Sequence, residues 1–256
     1  MKTEPQTKDG EFEGSSGMPN RDFYTHSRPT GLGARLGEYG QRRLVRELRT
    51  KYQIQRVLEI GSGKGIVARG CRDLGIDYLG VDGSEVAVEY ASSQGLRIVQ
   101  GFVPPLPDLG GFKPDIVVTI HTLSNLPSYE AVQEFVTAAG AALEPGGLFL
   151  AVMPDVRFEK SSFWDPDLTR QFPTTRHRLG RLLHAAGFDI IESRYWLDGF
   201  GSPWWYLIYR VTKLVPYLLL EGLTNRWSRR NLALYPSMWE MIYRKAPSAY
   251  VLGRKR

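Results

Sequence analysis

A glycine-rich turn is the first segment of the sequence whose residues could do chemistry. Residues 57–65 read V-L-E-I-G-S-G-K-G, an apolar run followed by three glycines at alternate positions. Glycines allow a tight turn and let the backbone approach a ligand closely. A dinucleotide-binding turn would need glycine where Ile66 stands, and a phosphate loop would need Ser or Thr where Gly65 follows Lys64. Both phosphate-binding patterns are therefore disfavoured.

An acidic residue closes the next apolar run. Residues 78–84 read Y-L-G-V-D-G-S, so Asp82 is predicted to end the second strand. A carboxylate at that place can accept hydrogen bonds from both hydroxyls of a ribose. An Asp at a strand end is more often a helix cap. Its position after the glycine turn favours ligand binding instead.

With these two elements in order, the sequence resembles the class I methyltransferases that depend on S-adenosylmethionine (SAM). Their first motif reads E/D-x-G-x-G-x-G at the end of the first strand, as it does here from Glu59. The resemblance implies SAM as cofactor, with its methionine portion against the turn and its cationic groups near Glu59. The implied cofactor contacts are Glu59, Gly61, Ser62, Gly63, Gly65, Asp82, Gly83, Gly101, Phe102 and His121.

Three later segments follow the same family order. Residues 115–121 resemble its fourth strand, 143–148 the turn before its fifth strand, and 182–188 its last helix before the sixth strand. The resemblance therefore extends from about Val57 to Tyr195. The third strand departs from the family pattern. In many relatives it ends in an acidic residue that contacts the adenine of SAM.

The sequence offers an aromatic residue at that departure. Residues 99–103 read V-Q-G-F-V, without a carboxylate. Adenine could stack on Phe102 and bond a backbone amide, since apolar pockets commonly carry few polar groups.

Methyl transfer from a sulfonium is an in-line displacement with a good leaving group. The enzyme's main task is then to hold acceptor and methyl group in near-attack geometry, and a general base is optional. His121, at the carboxyl end of the fourth predicted strand, is the candidate base for a hydroxyl acceptor. A histidine that bonds loop backbone is the other interpretation, and Asn125 in the same loop shares this ambiguity.

The remaining histidines carry weaker signals. His26, with Tyr24 and Arg28, lies in an N-terminal segment that folds over the cofactor in similar enzymes. His177 and His184 lie on a predicted helix, where surface or packing roles are more common than ligation. No spacing of histidines and carboxylates is typical of a metal site, so none is predicted.

Alternating apolar runs and helical stretches must position these residues. This alternation predicts a doubly wound, mostly parallel seven-stranded α/β sheet. An amphipathic helix from about Leu36 comes first and is expected to pack against the sheet. The predicted strands are 56–60, 77–81, 97–99, 115–120, 148–152, 189–195 and 249–252. The helices between them are predicted at 66–73, 85–94, 129–143 and 175–186, the last ending at Gly187.

Composition sets outer limits on the interpretation. The chain has 256 residues, a net charge of +6 and one cysteine, Cys71. Positive charge favours anionic partners, whether nucleic acid, phosphorylated metabolites or a membrane surface. A single cysteine excludes an internal disulfide, and we expect it to be a small buried hydrophobe in a cytoplasmic protein.

Five segments are predicted along the chain. They are a disordered N-terminus (1–20), a helical lid (21–50), the SAM-binding domain (51–196), a helical aromatic and basic insertion (197–246), and a final strand with the tail (247–256).

The insertion, centred on residues 200–243, allows three interpretations. It could be a helical cap over the active site, a segment that dips into an anionic membrane interface, or a homodimer surface. Its notable side chains are Trp204, Trp205, Tyr206, Leu218, Leu219, Leu220, Arg226, Trp227, Arg229 and Arg230. Arg210, Lys213 and Pro216 interrupt the apolar run, which disfavours a spanning helix.

The expected acceptor is a small molecule or a lipid-like molecule, methylated on oxygen or nitrogen. Base methyltransferases of nucleic acids often carry Asn/Asp-Pro-Pro-aromatic after the fourth strand, and residues 121–124 read H-T-L-S instead. An RNA methyltransferase and a non-catalytic SAM-binding interaction module are the alternatives. The location is expected to be cytoplasmic, with peripheral membrane association if the insertion binds lipid.

Overall fold

One seven-stranded sheet organises the chain in the computed structural model, which describes residues 32–164, 169–196 and 247–256. The strands are β1 (Arg56–Ile60), β2 (Asp77–Asp82), β3 (Ile98–Gln100), β4 (Ile116–Ile120), β5 (Leu148–Pro154), β6 (Phe188–Trp196) and β7 (Ser248–Lys255). The α-helices are α1 (Leu32–Tyr52), α2 (Ile66–Asp73), α3 (Glu85–Ser93), α4 (Tyr129–Ala141), α5 (Val156–Glu159) and α6 (Arg176–Ala185). Two 3-10 turns lie at Leu123–Asn125 and Lys160–Phe163.

The strand order is β3-β2-β1-β4-β5-β7-β6, which confirms the predicted doubly wound sheet. The pairs β1–β2, β2–β3, β1–β4 and β4–β5 are parallel, whereas β7 runs antiparallel to both β5 and β6. Because parallel strands need crossovers, helices cover both faces and the central strands read as continuous apolar runs. The carboxyl ends of β1, β2 and β4 therefore meet at one edge, where such sheets bind ligands.

Tertiary pairing sets the ends of several strands. β2 reaches Asp82 because that residue pairs with Gln100, and β5 reaches Pro154 because that residue pairs with Ser248. β5 consequently ends two residues later than its apolar run predicts, whereas β2 ends at the acidic residue predicted to close it.

A hydrophobic core lies on each face of the sheet. On one face, α1 buries Leu44, Val45 and Leu48 against β-strand residues, together with the fully buried Cys71 of α2. On the other face, α4 and α6 pack over the same strands. The predicted amphipathic helix is confirmed, although it begins at Leu32 rather than near Leu36.

Several predicted features lie outside the described residues. They are the N-terminal segment with Tyr24, His26 and Arg28, and the aromatic and basic insertion at 197–246. They therefore stay predictions. In the part of the chain that is described, no helix is long and apolar enough to cross a membrane.

Candidate functional site

The glycine turn lies between β1 and α2, at the carboxyl edge of the sheet. Gly61, Gly63 and Gly65 have φ values of 80°, 50° and 67°, a left-handed region that costs other residues about 1–2 kcal/mol. The N–H groups of Gly61 and Ser62 donate to the carbonyl of Val81, at 2.8 and 3.2 Å. The turn is thus tied to the end of β2.

Gly61 also permits close packing against the loop after β4. A Cβ atom there would lie 2.8 Å from Cγ2 of Thr122 and closer still to its hydroxyl. That hydroxyl donates to the carbonyl of Ile60 at 3.2 Å. The turn and the β4 loop are therefore in direct contact, with no room for a side chain between them.

Asp82 joins the turn through its side chain. Its Oδ2 accepts the N–H of Gly63 at 2.7 Å, and its Oδ1 accepts the N–H of Ser84 at 2.9 Å. Only 7% of the residue is exposed, and this burial raises the pKa of Asp82, although the two N–H groups oppose the shift. The hydroxyl of Ser84, rather than Asp82, caps α3 by accepting from Ala87.

The predicted proximity of turn and carboxylate is therefore present in the fold. Each carboxylate oxygen can accept a further hydrogen bond in addition to its backbone partner. Asp82 is thus equipped to hold two neighbouring hydroxyl groups.

Glu59 lies beneath the turn and is 3% exposed. The hydroxyl of Tyr78 donates to its Oε2 at 2.6 Å. The pKa of Glu59 is raised to about 8, mainly by burial and also by the charge of Asp82, while the hydrogen bond from Tyr78 opposes the shift. The site therefore contains a carboxyl group that holds its proton near neutral pH.

Sequence reasoning missed Tyr78, because it looks like an ordinary aromatic residue of a strand. Glu59 pairs with Gly80 across β1 and β2, and side chains two positions apart on a strand share a face. This register places Tyr78 diagonally beside Glu59. Only the pairing of the two strands reveals the contact.

Phe102 stands at the mouth of the site with 71% of its surface exposed. Its ring covers Gly83, where a Cβ atom would lie 2.7 Å from the ring's Cδ1. The N–H of Gly101 donates to the carbonyl of Asp82 at 3.0 Å, which holds this segment against β2. An exposed aromatic face next to the Asp82 carboxylate has the geometry to stack a planar ring.

His121 follows β4 directly, with a left-handed φ of 61° that is uncommon outside glycine. Its N–H donates to the carbonyl of Val152 at 2.7 Å, and its carbonyl accepts from the hydroxyl of Ser124 at 2.7 Å. That hydroxyl also bonds the side chain of Asn125. The backbone of His121 is therefore fixed beside the turn, since the next residue touches Gly61.

The histidines of α6 lie elsewhere. His184 contacts the carbonyl of Phe188, at the start of β6 and so at the opposite edge of the sheet. Within residues 32–164, 169–196 and 247–256, no group of three or more His, Cys, Asp or Glu residues could hold a metal ion.

Asp155 is a second feature that the sequence analysis missed. It follows β5, is fully buried, and accepts from both Nε and Nη2 of Arg157 and from the N–H of Arg176. Burial opposes its ionisation, but these donors outweigh it and lower the pKa of Asp155. The carboxylate ties the end of β5 to the start of α6. An acidic residue after an apolar strand, the signal that identified Asp82, would have found it.

A family model described as a methyltransferase domain matches residues 24–193. The chain belongs to this methyltransferase family. The resemblance to class I SAM-dependent methyltransferases, drawn from the glycine turn, is thereby confirmed, and SAM is the cofactor of this enzyme.

Solved structures share the fold of the methyltransferase at low identity. A chain in the complex of the Haloferax volcanii Trm112 methyltransferase activator with a proposed methyltransferase has 16% identity and a TM-score of 0.62, covering 91% of this chain and 96% of that one. A SAM-dependent methyltransferase from Archaeoglobus fulgidus has 18% identity and a TM-score of 0.54, covering 88% and 100%. Magnesium protoporphyrin IX methyltransferase from Synechocystis, with bound SAH, has 12% identity and a TM-score of 0.57, covering 87% and 85%. No curated protein sequence matches the methyltransferase significantly.

The residues of the site fit the charge of SAM. The predicted contacts include two buried carboxyl groups, Glu59 and Asp82, and no lysine or arginine. SAM carries a sulfonium and an ammonium group, so the carboxylate of Asp82 complements its charge, and Glu59 does so once it has lost its proton.

Proposed function

We propose that this methyltransferase transfers a methyl group from SAM to an oxygen or nitrogen of a small-molecule or lipid-like acceptor. One observation carries the proposal: the N–H of Gly63 bonds the Asp82 carboxylate at 2.7 Å, so the turn and the carboxylate form one unit. When bound, SAM supplies an electrophilic methyl group on a positively charged sulfur.

Each part of the site has a proposed role toward SAM. The turn residues Gly61, Ser62 and Gly63 receive the methionine portion, with Glu59 beneath them as the counterion of its ammonium group. Asp82 accepts the two ribose hydroxyls, and the exposed ring of Phe102 stacks the adenine. Gly83 leaves room for this ring, because a Cβ atom at Gly83 would overlap the ring of Phe102.

The acceptor is proposed to approach from the loop after β4. His121 lies in this loop, and hydrogen bonds of its backbone N–H and carbonyl hold the loop beside the glycine turn. His121 would take the proton of a hydroxyl acceptor, whereas an amine acceptor needs only orientation. The N-terminal segment before residue 32 and the insertion at 197–246 would complete this pocket.

The acceptor class is inferred from two lines of support. Residues 121–124 lack the Asn/Asp-Pro-Pro-aromatic pattern that is typical of nucleic-acid base methyltransferases. In addition, the Synechocystis enzyme of similar fold is named for a small-molecule acceptor, magnesium protoporphyrin IX.

The proposal is tested by incubating the full chain with SAM labelled in its methyl group and with cell extract divided into three pools: organic-soluble molecules, aqueous small molecules, and RNA. We expect label in one of the first two pools, and much less of it with Asp82→Asn protein at limiting SAM. Label that appears only in the RNA pool, and disappears after nuclease treatment, would replace the proposal with an RNA methyltransferase. A folded protein that binds SAM but labels no pool would favour the non-catalytic module.

A further inference from the structure

Glu59 and Tyr78 form a buried polar pair directly beneath the glycine turn. The Tyr78 hydroxyl donates to Glu59 Oε2 at 2.6 Å, and both residues are less than one-tenth exposed. A buried carboxyl group is costly unless hydrogen bonds compensate it. Tyr78 provides that compensation from the neighbouring strand.

Gly80 makes the pair possible. A Cβ atom at this position would lie 2.8 Å from the Tyr78 hydroxyl and 3.1 Å from the Cβ of Ser62 in the turn. Because Gly80 has no side chain, the Tyr78 hydroxyl has room to reach Glu59 below the turn. The pair and the predicted seat of SAM are therefore separated only by the turn itself.

Among the described residues, no positively charged side chain is hydrogen-bonded to Glu59. Arg69, on α2, lowers the pKa of Glu59 through its charge, but its guanidinium bonds Glu38 and a backbone carbonyl instead. Asp82 has the opposite effect, and the buried Cys71 thiol stays neutral because burial raises its pKa. Among the ion pairs of the described residues, none includes Glu59.

We propose that Tyr78 is a positioning residue of the cofactor site, which holds Glu59 under the glycine turn as a proton-exchanging counterion, so that SAM binding expels a proton. This inference rests on the proposed binding of the SAM ammonium group above Glu59. The O–H bond of the Glu59 carboxyl breaks, its proton leaves to the solvent, and the resulting carboxylate attracts the cation of the ligand across the turn. The ammonium group of SAM then balances the negative charge of Glu59, as the lost proton did before.

Two pH dependences follow with definite signs. Because burial raises the pKa of Glu59 to about 8, the folded protein without SAM binds more protons than the unfolded chain between the ordinary value of 4.5 and 8. The contribution of Glu59 to stability is therefore complete below about pH 4.5 and is lost as pH rises through about 8. SAM affinity changes in the opposite direction and rises over the same interval.

The test is isothermal titration calorimetry of the full chain with SAM, in phosphate and in Tris, between pH 6.5 and 9.5. Comparing two buffers of different ionisation enthalpy counts the protons released on binding. We expect nearly one proton to be released at about pH 7, where Glu59 is protonated, and almost none above about pH 9.5. Glu59→Gln should abolish this release. Any proton release that remains in this variant comes from SAM itself.

Tyr78→Phe separates positioning from a purely structural role. Without the hydroxyl, the pKa of Glu59 rises, so SAM affinity should fall about tenfold at pH 7 and less than about threefold at pH 9.5. The matched control is Tyr90→Phe, which removes an exposed hydroxyl from α3 and should leave both affinity and proton release unchanged. A structural role alone would weaken binding equally at every pH.

Wild-type protein that binds SAM without releasing a proton at pH 7 would overturn the inference and leave the proposed function standing. Release that persists unchanged in Glu59→Gln would do the same. If wild type binds no SAM, both the proposed cofactor site and this inference fail. Should Tyr78→Phe not fold, the buffer comparison on wild type and Glu59→Gln still decides, together with the pH dependence of unfolding in the two proteins.

Discussion

Replacing Asp82 with asparagine is the most direct perturbation of the cofactor site. The shape of the side chain is nearly kept, but the charge is removed and one accepting oxygen becomes an NH₂ group. Both oxygens of Asp82 accept backbone N–H groups, from Gly63 at 2.7 Å and Ser84 at 2.9 Å. One of these N–H groups would face another donor in the variant.

The size of the effect follows from these bonds. Hydrogen bonds to a charged group contribute about 1.5–3 kcal/mol each, against about 1 kcal/mol for neutral pairs. Replacing two charged ribose contacts by weaker ones costs about 3 kcal/mol, so the Kd for SAM should rise about 100-fold. The mismatched backbone donor should also lower the free energy of unfolding of the protein by about 1–2 kcal/mol.

Calorimetry with SAM measures the first effect and urea unfolding the second. The matched control is Asp77→Asn, at the exposed opposite end of β2, which should change neither quantity. A folded Asp82→Asn protein whose Kd stays within threefold of wild type would refute the assignment of Asp82 to the ribose. Equal losses in both variants would point to a general defect in β2.

Other substitutions test the turn, the adenine face and the edge of β5. Gly61→Ala should destabilise the protein by about 3 kcal/mol or more in urea unfolding, because a Cβ there overlaps a threonine of the β4 loop. Gly75→Ala, with a similar positive φ but open space, should cost only about 1 kcal/mol; equal losses would disprove the packing argument. Phe102→Ala should weaken SAM binding about tenfold without lowering the melting temperature, since the ring is 71% exposed; unchanged affinity would remove its role with adenine. Asp155→Asn should cost about 3 kcal/mol and Asp189→Asn, on an exposed position of β6, almost nothing. Since the donors of Asp155 lower its pKa, its contribution is present above about pH 4 and lost as pH falls, so the difference from wild type should shrink in acid.

Much of the fold could be predicted because local patterns agree with it. Apolar runs of strand length alternate with amphipathic helices, and glycines such as Gly187 stop helices where a positive φ is needed. The strands β1 and β4 and the helix α2 lie where their residue patterns place them. The end of β5 at Pro154 was misplaced because the neighbouring strand β7, not local sequence, extends the ladder there.

The sequence by itself determined the alternation of elements, the glycine turn and the acidic residue that ends β2, since each depends on residues that are close along the chain. Only the tertiary structure decided what these residues touch. The hydrogen bond from Tyr78 to Glu59 joins residues 19 positions apart, and that from Thr122 to the Ile60 carbonyl spans 62 positions. Such contacts depend on strand register and on which loops meet at one edge of the sheet. Both are fixed only when the crossover connections bring the strands together in the folded chain.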